Sequence, residues 1–149
     1  MTTDTQGTAT AVQGVERFVA DWYAALDKHV PFDEVADYLA DQVRFVFPEV
    51  TVDTVDGLRD WYERVTRTFF DEAHRVDVTE VSDGGPDTYA VHVVVNWTTR
   101  VWDAPAPTSS VLSYDADQSW IVVRGSDGRL GLRDYVVNGL TPVGDTPAF

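Results

Sequence analysis

The chemistry open to this chain is acid–base chemistry, and few of its side chains are placed to do it. Asp134 lies in the run Gly131-Leu132-Arg133-Asp134-Tyr135. A carboxylate held among Leu, Val, Phe and Trp loses hydration, its pKa rises, and it can act as a general acid or base near neutral pH. His92 can carry a second proton or orient a substrate oxygen. Asn96, four residues on, can donate to a carbonyl or hold a water. His74 follows Phe69-Phe70-Asp71-Glu72, and Asp71 is placed to orient its ring. His29 stands near a helix end, where a cation is favoured. Each has a plainer alternative. Asp134 can pair with an arginine, His92 can sit on the outer face of a sheet, and His74 can be a polar junction residue. Asn96 can close a hydrogen-bond network with its neighbours. There are three histidines, without His-x-His or His-x-x-x-His spacing, and no cysteine, so no metal site is expected. This chemistry needs no cofactor.

The elements that must position these residues fall into two halves. Residues 1–11 are Thr-, Ala- and Gly-rich without periodicity and read as a flexible tail. Val12, Val15, Phe18, Val19, Trp22 and Leu26 then recur at helical spacing, up to Lys28 and His29, and Pro31 stops the helix. Asp33 is a plausible N-cap for a short second helix carrying Val35, Tyr38 and Leu39. Asp41 and Gln42 read as a turn, Val43 to Phe47 as a short strand, and Leu58, Trp61, Tyr62, Val65 and Phe69 as one face of a third helix. Beyond His74 the period changes to two. Tyr89 to Trp102 and Ser110 to Arg124 read as long strands, the second bulged near Asp115-Ala116-Asp117. Gly125-Ser126-Asp127-Gly128 makes a hairpin turn, Arg129 to Asn138 is the last strand, and 139–149 is a tail ending in Phe149. Helices first and antiparallel strands second argue for an α+β domain over residues 12–138, its helices on one face of a curved sheet. Trp22, Tyr38, Phe47, Trp61 and Phe69 are candidates to line a pocket for a hydrophobic ligand, with core packing as the alternative.

Composition narrows the partners. The net charge of −14 repels phosphate backbones and anionic lipid, so neither nucleic acid nor a membrane is expected. The polar N-terminus reads as no signal peptide, and no apolar stretch reaches the length of a membrane span, so the cytoplasm is the expected compartment.

The order helix, helix, short strand, helix, long meander resembles the nuclear transport factor two-like (SnoaL-like) superfamily of polyketide cyclases, ketosteroid isomerases, limonene epoxide hydrolases and scytalone dehydratases. Phe45-Val46-Phe47-Pro48 ahead of Gly57-Leu58-Arg59-Asp60-Trp61-Tyr62 adds to the likeness. The Gly131 to Tyr135 run is similar to the Trp-Arg-Asp-Tyr segment of the epoxide hydrolases. The resemblance implies a cone-shaped α+β fold around an apolar pocket, with Asp134 pointing inward. Strand alternation would then bring His92 and Asn96 to the pocket side, with His74 at its mouth. The epoxide hydrolase positions for Arg and Asp read Val94 and Asn96 here, and the isomerase base position reads Phe47, so neither specific activity transfers. What transfers is cofactor-independent proton transfer on a hydrophobic oxygenated small molecule: isomerisation, cyclisation, dehydration or hydration. The alternative is a non-catalytic ligand-binding or protein-interaction domain. In either case the face carrying Val91, Val93, Val95 and Trp97 is expected to lie outside, as the surface of a homodimer.

Overall fold

The computed structural model describes residues 2–147, with side chains from residue 10 onward. Three helices, α1 (Thr2–Asp27), α2 (Phe32–Ala36) and α3 (Val55–Thr68), lie in the concavity of one curved six-stranded sheet. Its strands are β1 (Leu39–Val46), β2 (Thr51–Val52), β3 (Phe70–Gly85), β4 (Thr88–Val101), β5 (Ser110–Arg124) and β6 (Leu130–Pro142). The spatial order is β2-β1-β6-β5-β4-β3; β1 runs parallel to β6 and every other pairing is antiparallel. Among the described residues, no helix is long and apolar enough to cross a membrane.

The amphipathic face of α1 drives the assembly. Val15, Phe18, Val19, Trp22 and Tyr23 recur every three or four residues and are buried against Phe45, Trp120, Val122 and Leu132 of the sheet. Each such side chain contributes roughly 1.5–3 kcal/mol when fully buried. The helix closes at His29, whose φ of 50° is the left-handed conformation that ends many helices. α3 is capped by Thr54, whose Oγ1 accepts the Gly57 N–H at 3.0 Å. Where β1 meets β6, a Cβ on Gly131 would stand 2.9 Å from Ala40 Cα, so only glycine lets the two backbones approach.

The structure departs from the sequence reading in several places. Helical backbone begins at Thr2, inside the stretch read as a tail, and β6 runs on to Pro142. Residues 143–147 then lie beside β5, where Thr146 Oγ1 accepts the Ser113 N–H and Pro147 O accepts the Tyr114 hydroxyl. Phe149 lies outside the described residues. Pro31, not Asp33, is the N-cap of α2; Asp33 is in its first turn and pairs with Arg59. Tyr38 and Leu39 are outside α2, and Asp41 and Gln42 belong to β1 rather than to a turn.

The bulge expected on β5 falls on its partner. The β4–β5 register is unbroken from Thr88↔Val123 to Val101↔Ser110. Opposite β5, β6 carries an extra residue at Arg133 and another at Asn138. Each insertion reverses which side chains downstream face inward. Leu132 and Tyr135 therefore both face the helices, and Asp134 does not.

The two faces of β4 are likewise the reverse of the expected ones. Val91, Val93 and Val95 are buried against the helices, so they cannot form a dimer surface. The outer face is polar. His92 bridges Glu80 and Asp117, and Asn96 donates to Asp115 and Ser113.

Candidate functional site

One cavity of about 120 Å³ lies between the helices and the concave face of the sheet. An apolar cavity of about 150 Å³ holds benzene, so this smaller one has room for at most a single six-membered ring. Its walls are largely aromatic and aliphatic. Leu26 comes from α1, Phe47 and Pro48 from the end of β1, and Trp61, Tyr62 and Val65 from α3. Phe69 follows α3, Val95 and Trp97 come from β4, Ala116 from β5, and Val137 and Leu140 from β6. The polar side chains that break this surface are Glu49, Thr66, Glu72, His74, Gln118 and Tyr135.

His74 is the centre of the arrangement. A bulge at the start of β3, where Asp71 takes a φ of 50°, turns Glu72 and His74 inward. Asp27, the last residue of α1, grips His74 twice: Oδ2 accepts its backbone N–H at 2.9 Å and Oδ1 meets ring Nδ1 at 2.5 Å. The ring is packed between Tyr23, with centroids 4.7 Å apart, and Trp97, 6.2 Å away. Its side chain is 10% exposed. With Nδ1 committed to Asp27, the ring presents Nε2, which no described residue engages, to the cavity. A carboxylate behind Nδ1 fixes the tautomer in which Nε2 is the basic nitrogen, and stabilises the imidazolium that forms when a proton arrives. Asp71, the partner expected for His74, is exposed and takes no part.

A second pair stands beside the first. Glu72 accepts from Trp97 Nε1 at 2.9 Å and makes a close contact with His29 Nε2. His29, read as a simple helix-end cation, is thus the partner of a cavity-lining carboxylate.

A hydroxyl network adjoins the cavity wall, with Tyr23 stacked on the His74 ring. Tyr23 donates to Gln118 Oε1 at 2.8 Å, Trp120 Nε1 donates to the same oxygen at 2.9 Å, and the Tyr135 hydroxyl stands 3.2 Å from that of Tyr23. Burial pushes the Tyr135 phenol up to about 12, and burial together with the neighbouring Tyr135 raises Tyr23 well above its usual value. Both therefore stay protonated at neutral pH, and Tyr135 is a neutral donor at the cavity wall. Trp61 stacks on Phe47 with centroids 4.2 Å apart, and its indole N–H is buried with no hydrogen-bond partner.

Of the residues singled out from the sequence, Phe47, Trp61, Phe69 and His74 meet at this cavity. Trp22 is in the core behind it, against Tyr38, Phe45 and Trp120. Tyr38 lines a different, open cleft with Arg17 and Asp21. Asp134, His92 and Asn96 are on the other side of the sheet. Asp134 accepts from Arg133 Nε at 3.0 Å, the ion pair that was its plainer alternative. Among the described residues no cluster of His, Asp or Glu is arranged to hold a metal ion. Sequence reasoning passed over Asp27, Glu72, Gln118 and Tyr135. Glu72 and Tyr135 were adjacent to residues already considered. Asp27 is 47 positions from His74, and no local pattern links them.

No protein-family model and no curated protein matches the chain. Solved structures do. The chain is similar to a candidate scytalone dehydratase from Novosphingobium aromaticivorans, with 17% identity over 97% of this chain and 95% of that one and a TM-score of 0.75. A candidate dehydratase of the NTF2-like family from Streptomyces avermitilis has 16% identity, covers 91% of this chain and 97% of its own, and has a TM-score of 0.74. A type 2 hexachlorocyclohexane dehydrochlorinase (LinA) has 15% identity, covers 100% and 97%, and has a TM-score of 0.74. The chain has the fold of the nuclear transport factor 2-like superfamily.

Proposed function

We propose that the protein catalyses proton abstraction from a small, hydrophobic, oxygenated ring compound, with His74 as the base. The observation that carries this reading is the Asp27–His74 pair, whose imidazole lines a largely apolar cavity. A base at such a place needs an acidic C–H, which a neighbouring carbonyl supplies. Asp27 fixes the ring and compensates its charge. Tyr135, whose neutral hydroxyl donates to Tyr23 when the cavity is empty, turns that proton to the oxygen on which charge develops. The aromatic walls exclude water, which strengthens both interactions. Elimination and isomerisation share this first step. The names of the similar structures, two candidate dehydratases and a dehydrochlorinase, favour elimination. The site residues of this reading are His74, Asp27 and Tyr135, in place of Asp134, His92 and Asn96.

The test is solvent-deuterium incorporation into the α-carbons of cyclohexanone, followed by proton NMR. Wild type should accelerate exchange, and His74→Ala should lose about 10²–10⁴-fold of that acceleration. Acceleration equal in the two proteins would remove His74 as the base. Saturable binding of cyclohexanone without any exchange would instead make the cavity a binding site.

A further inference from the structure

The walls of the cavity carry negative charge and no fixed positive charge. Glu49, in the loop between β1 and β2, and Glu72, at the start of β3, both line it. Asp27 stands behind His74, and His29 stands behind Glu72. Three carboxylates thus face two imidazoles, so the group stays net negative even with both imidazoles protonated. Among the described residues no arginine or lysine lines the cavity. Arg59, Arg64 and Arg67 of α3 are exposed, and Lys28 lines a different, open cleft. The whole chain, at −14, adds a field of the same sign. The Glu72 charge is felt at the cavity wall, where burial first and then Glu72 push the Tyr62 phenol up to about 12.

The aromatic walls are set at an angle to one another. Phe69 stands at 73° to Trp97, with centroids 5.0 Å apart, and Trp97 is fixed by its N–H bond to Glu72 Oε1 at 2.9 Å. The stacked pair Trp61 and Phe47 forms another wall. Aromatic rings attract a cation through the negative charge of their faces, and a cage of several rings is how proteins recognise ammonium groups. An anionic ligand is repelled by the carboxylates, and a neutral one gains nothing from them.

We propose that the substrate is a cyclic amino ketone bound as its ammonium ion. The proposal rests on the reading of His74 as base and names the substrate class of that same site. His74 Nε2 takes the proton from the carbon beside the carbonyl, and the C–H electron pair passes onto the carbonyl oxygen as an enolate. One positive charge appears on the imidazole and one negative charge on the substrate, and nothing is oxidised or reduced. Asp27, Glu72 and Glu49 stabilise the first charge and oppose the second. A neutral ketone would leave an enolate anion among these carboxylates. An ammonium ketone leaves a zwitterion with no net charge, and its positive group also makes the neighbouring C–H more acidic. A six-membered ring that contains the nitrogen keeps within the size of the cavity.

Binding and exchange test the two layers separately. Calorimetric titration at pH 7 compares piperidine, which is then an ammonium ion, with tetrahydropyran, a ring of the same size with a neutral oxygen. Piperidine should bind wild type about tenfold or more tighter, and Glu49→Gln and Glu72→Gln should each cut that preference about threefold. Equal affinities, or a preference unchanged in both variants, would overturn the proposal. Deuterium exchange into piperidin-4-one and cyclohexanone, each measured against its own rate in buffer, asks whether the amine belongs to the substrate. Wild type should accelerate the amino ketone about tenfold more, and an acceleration equal or greater for cyclohexanone overturns the proposal as well. Wild type that accelerates neither ketone, or His74→Ala that slows neither, overturns instead the assignment of His74, because the piperidine titration does not depend on that base.

Discussion

Asp27 holds His74 at two points, its backbone N–H at 2.9 Å and its ring Nδ1 at 2.5 Å, and so ties the end of α1 to the start of β3. The backbone bond fixes where the histidine begins, and the ring bond fixes which way it faces. Asn at position 27 keeps the size and still offers an oxygen to the backbone. Its amide N–H, however, would face Nδ1 and shift the ring proton to Nε2, leaving no base in the cavity. Asp27→Asn should therefore lose about 10²–10⁴-fold in turnover, while the melting temperature falls by only a few degrees. Turnover near the wild-type value would mean that His74 does not depend on Asp27.

The buried phenols make a second prediction, about pH. A buried tyrosine is neutral in the folded protein and ionises near pH 10 once unfolded. Tyr135 and Tyr62 are each pushed up to about 12 by burial. The folded state thus binds more protons between pH 10 and pH 12. Stability is fully present below pH 10 and is lost as pH rises through that window. For Tyr135 the loss at pH 12 is about 2–3 kcal/mol, at roughly 1.4 kcal/mol per pH unit. Urea unfolding at pH 8, 10 and 11.5 should show this fall, with a shallower slope for Tyr135→Phe. Parallel slopes in the two proteins would rule out Tyr135 as a source.

Much of this arrangement was legible in the sequence, and the part that was not has a definite physical cause. Helical spacing from Val12 to Leu26 marked the face of α1 that is buried, and the Gly125 to Gly128 turn and the limits of β5 fell where composition put them. Period-two alternation also divided β4 correctly into two sets. It does not say which set is inside. The resemblance put Asp134 inside and, with it, His92 and Asn96, which left Val91, Val93 and Val95 to the outer face. The extra residue at Arg133 in β6 decided the matter, because it turns Asp134 away and brings in Tyr135. A bulge is a property of two strands in register, and neither strand displays it alone. The Asp27–His74 contact is hidden for the same reason: it joins two elements distant in the chain.

The outer face yields a prediction that separates the two readings of the sheet. Asp134 is paired with Arg133, and His92 lies between Asp117 and Glu80 with 43% of its side chain exposed. The His92 pKa is raised by its hydrogen bonds to Asp117 and then Glu80. Its contribution to stability is present below its unfolded pKa near 6.5 and is lost as pH rises through the higher folded value. Solvent screening keeps it small, about 0.5 kcal/mol or less. Asp134→Asn and His92→Ala should both leave turnover within about twofold and stability within about 1 kcal/mol of wild type. A hundredfold loss of turnover in either would return that residue to the catalytic machinery.

Trp61 gives the last prediction, because its buried indole N–H has no partner in the cavity wall. A buried donor left unpaired costs about 1–3 kcal/mol, and a ligand oxygen that reached it would recover that cost. Phenylalanine keeps the stacking on Phe47 but removes the donor. The relief of that cost offsets the loss of contact area, so Trp61→Phe should melt within a few degrees of wild type. Its binding should change selectively. Affinity for cyclohexanone, which carries an acceptor, should fall about five- to tenfold, in line with a lost hydrogen bond of roughly 1 kcal/mol. Affinity for cyclohexane, which carries none, should not. Calorimetric titration of the two ligands into both proteins measures the difference. An equal loss for the two would mean that Trp61 contributes shape alone, and that the substrate oxygen is read elsewhere in the cavity.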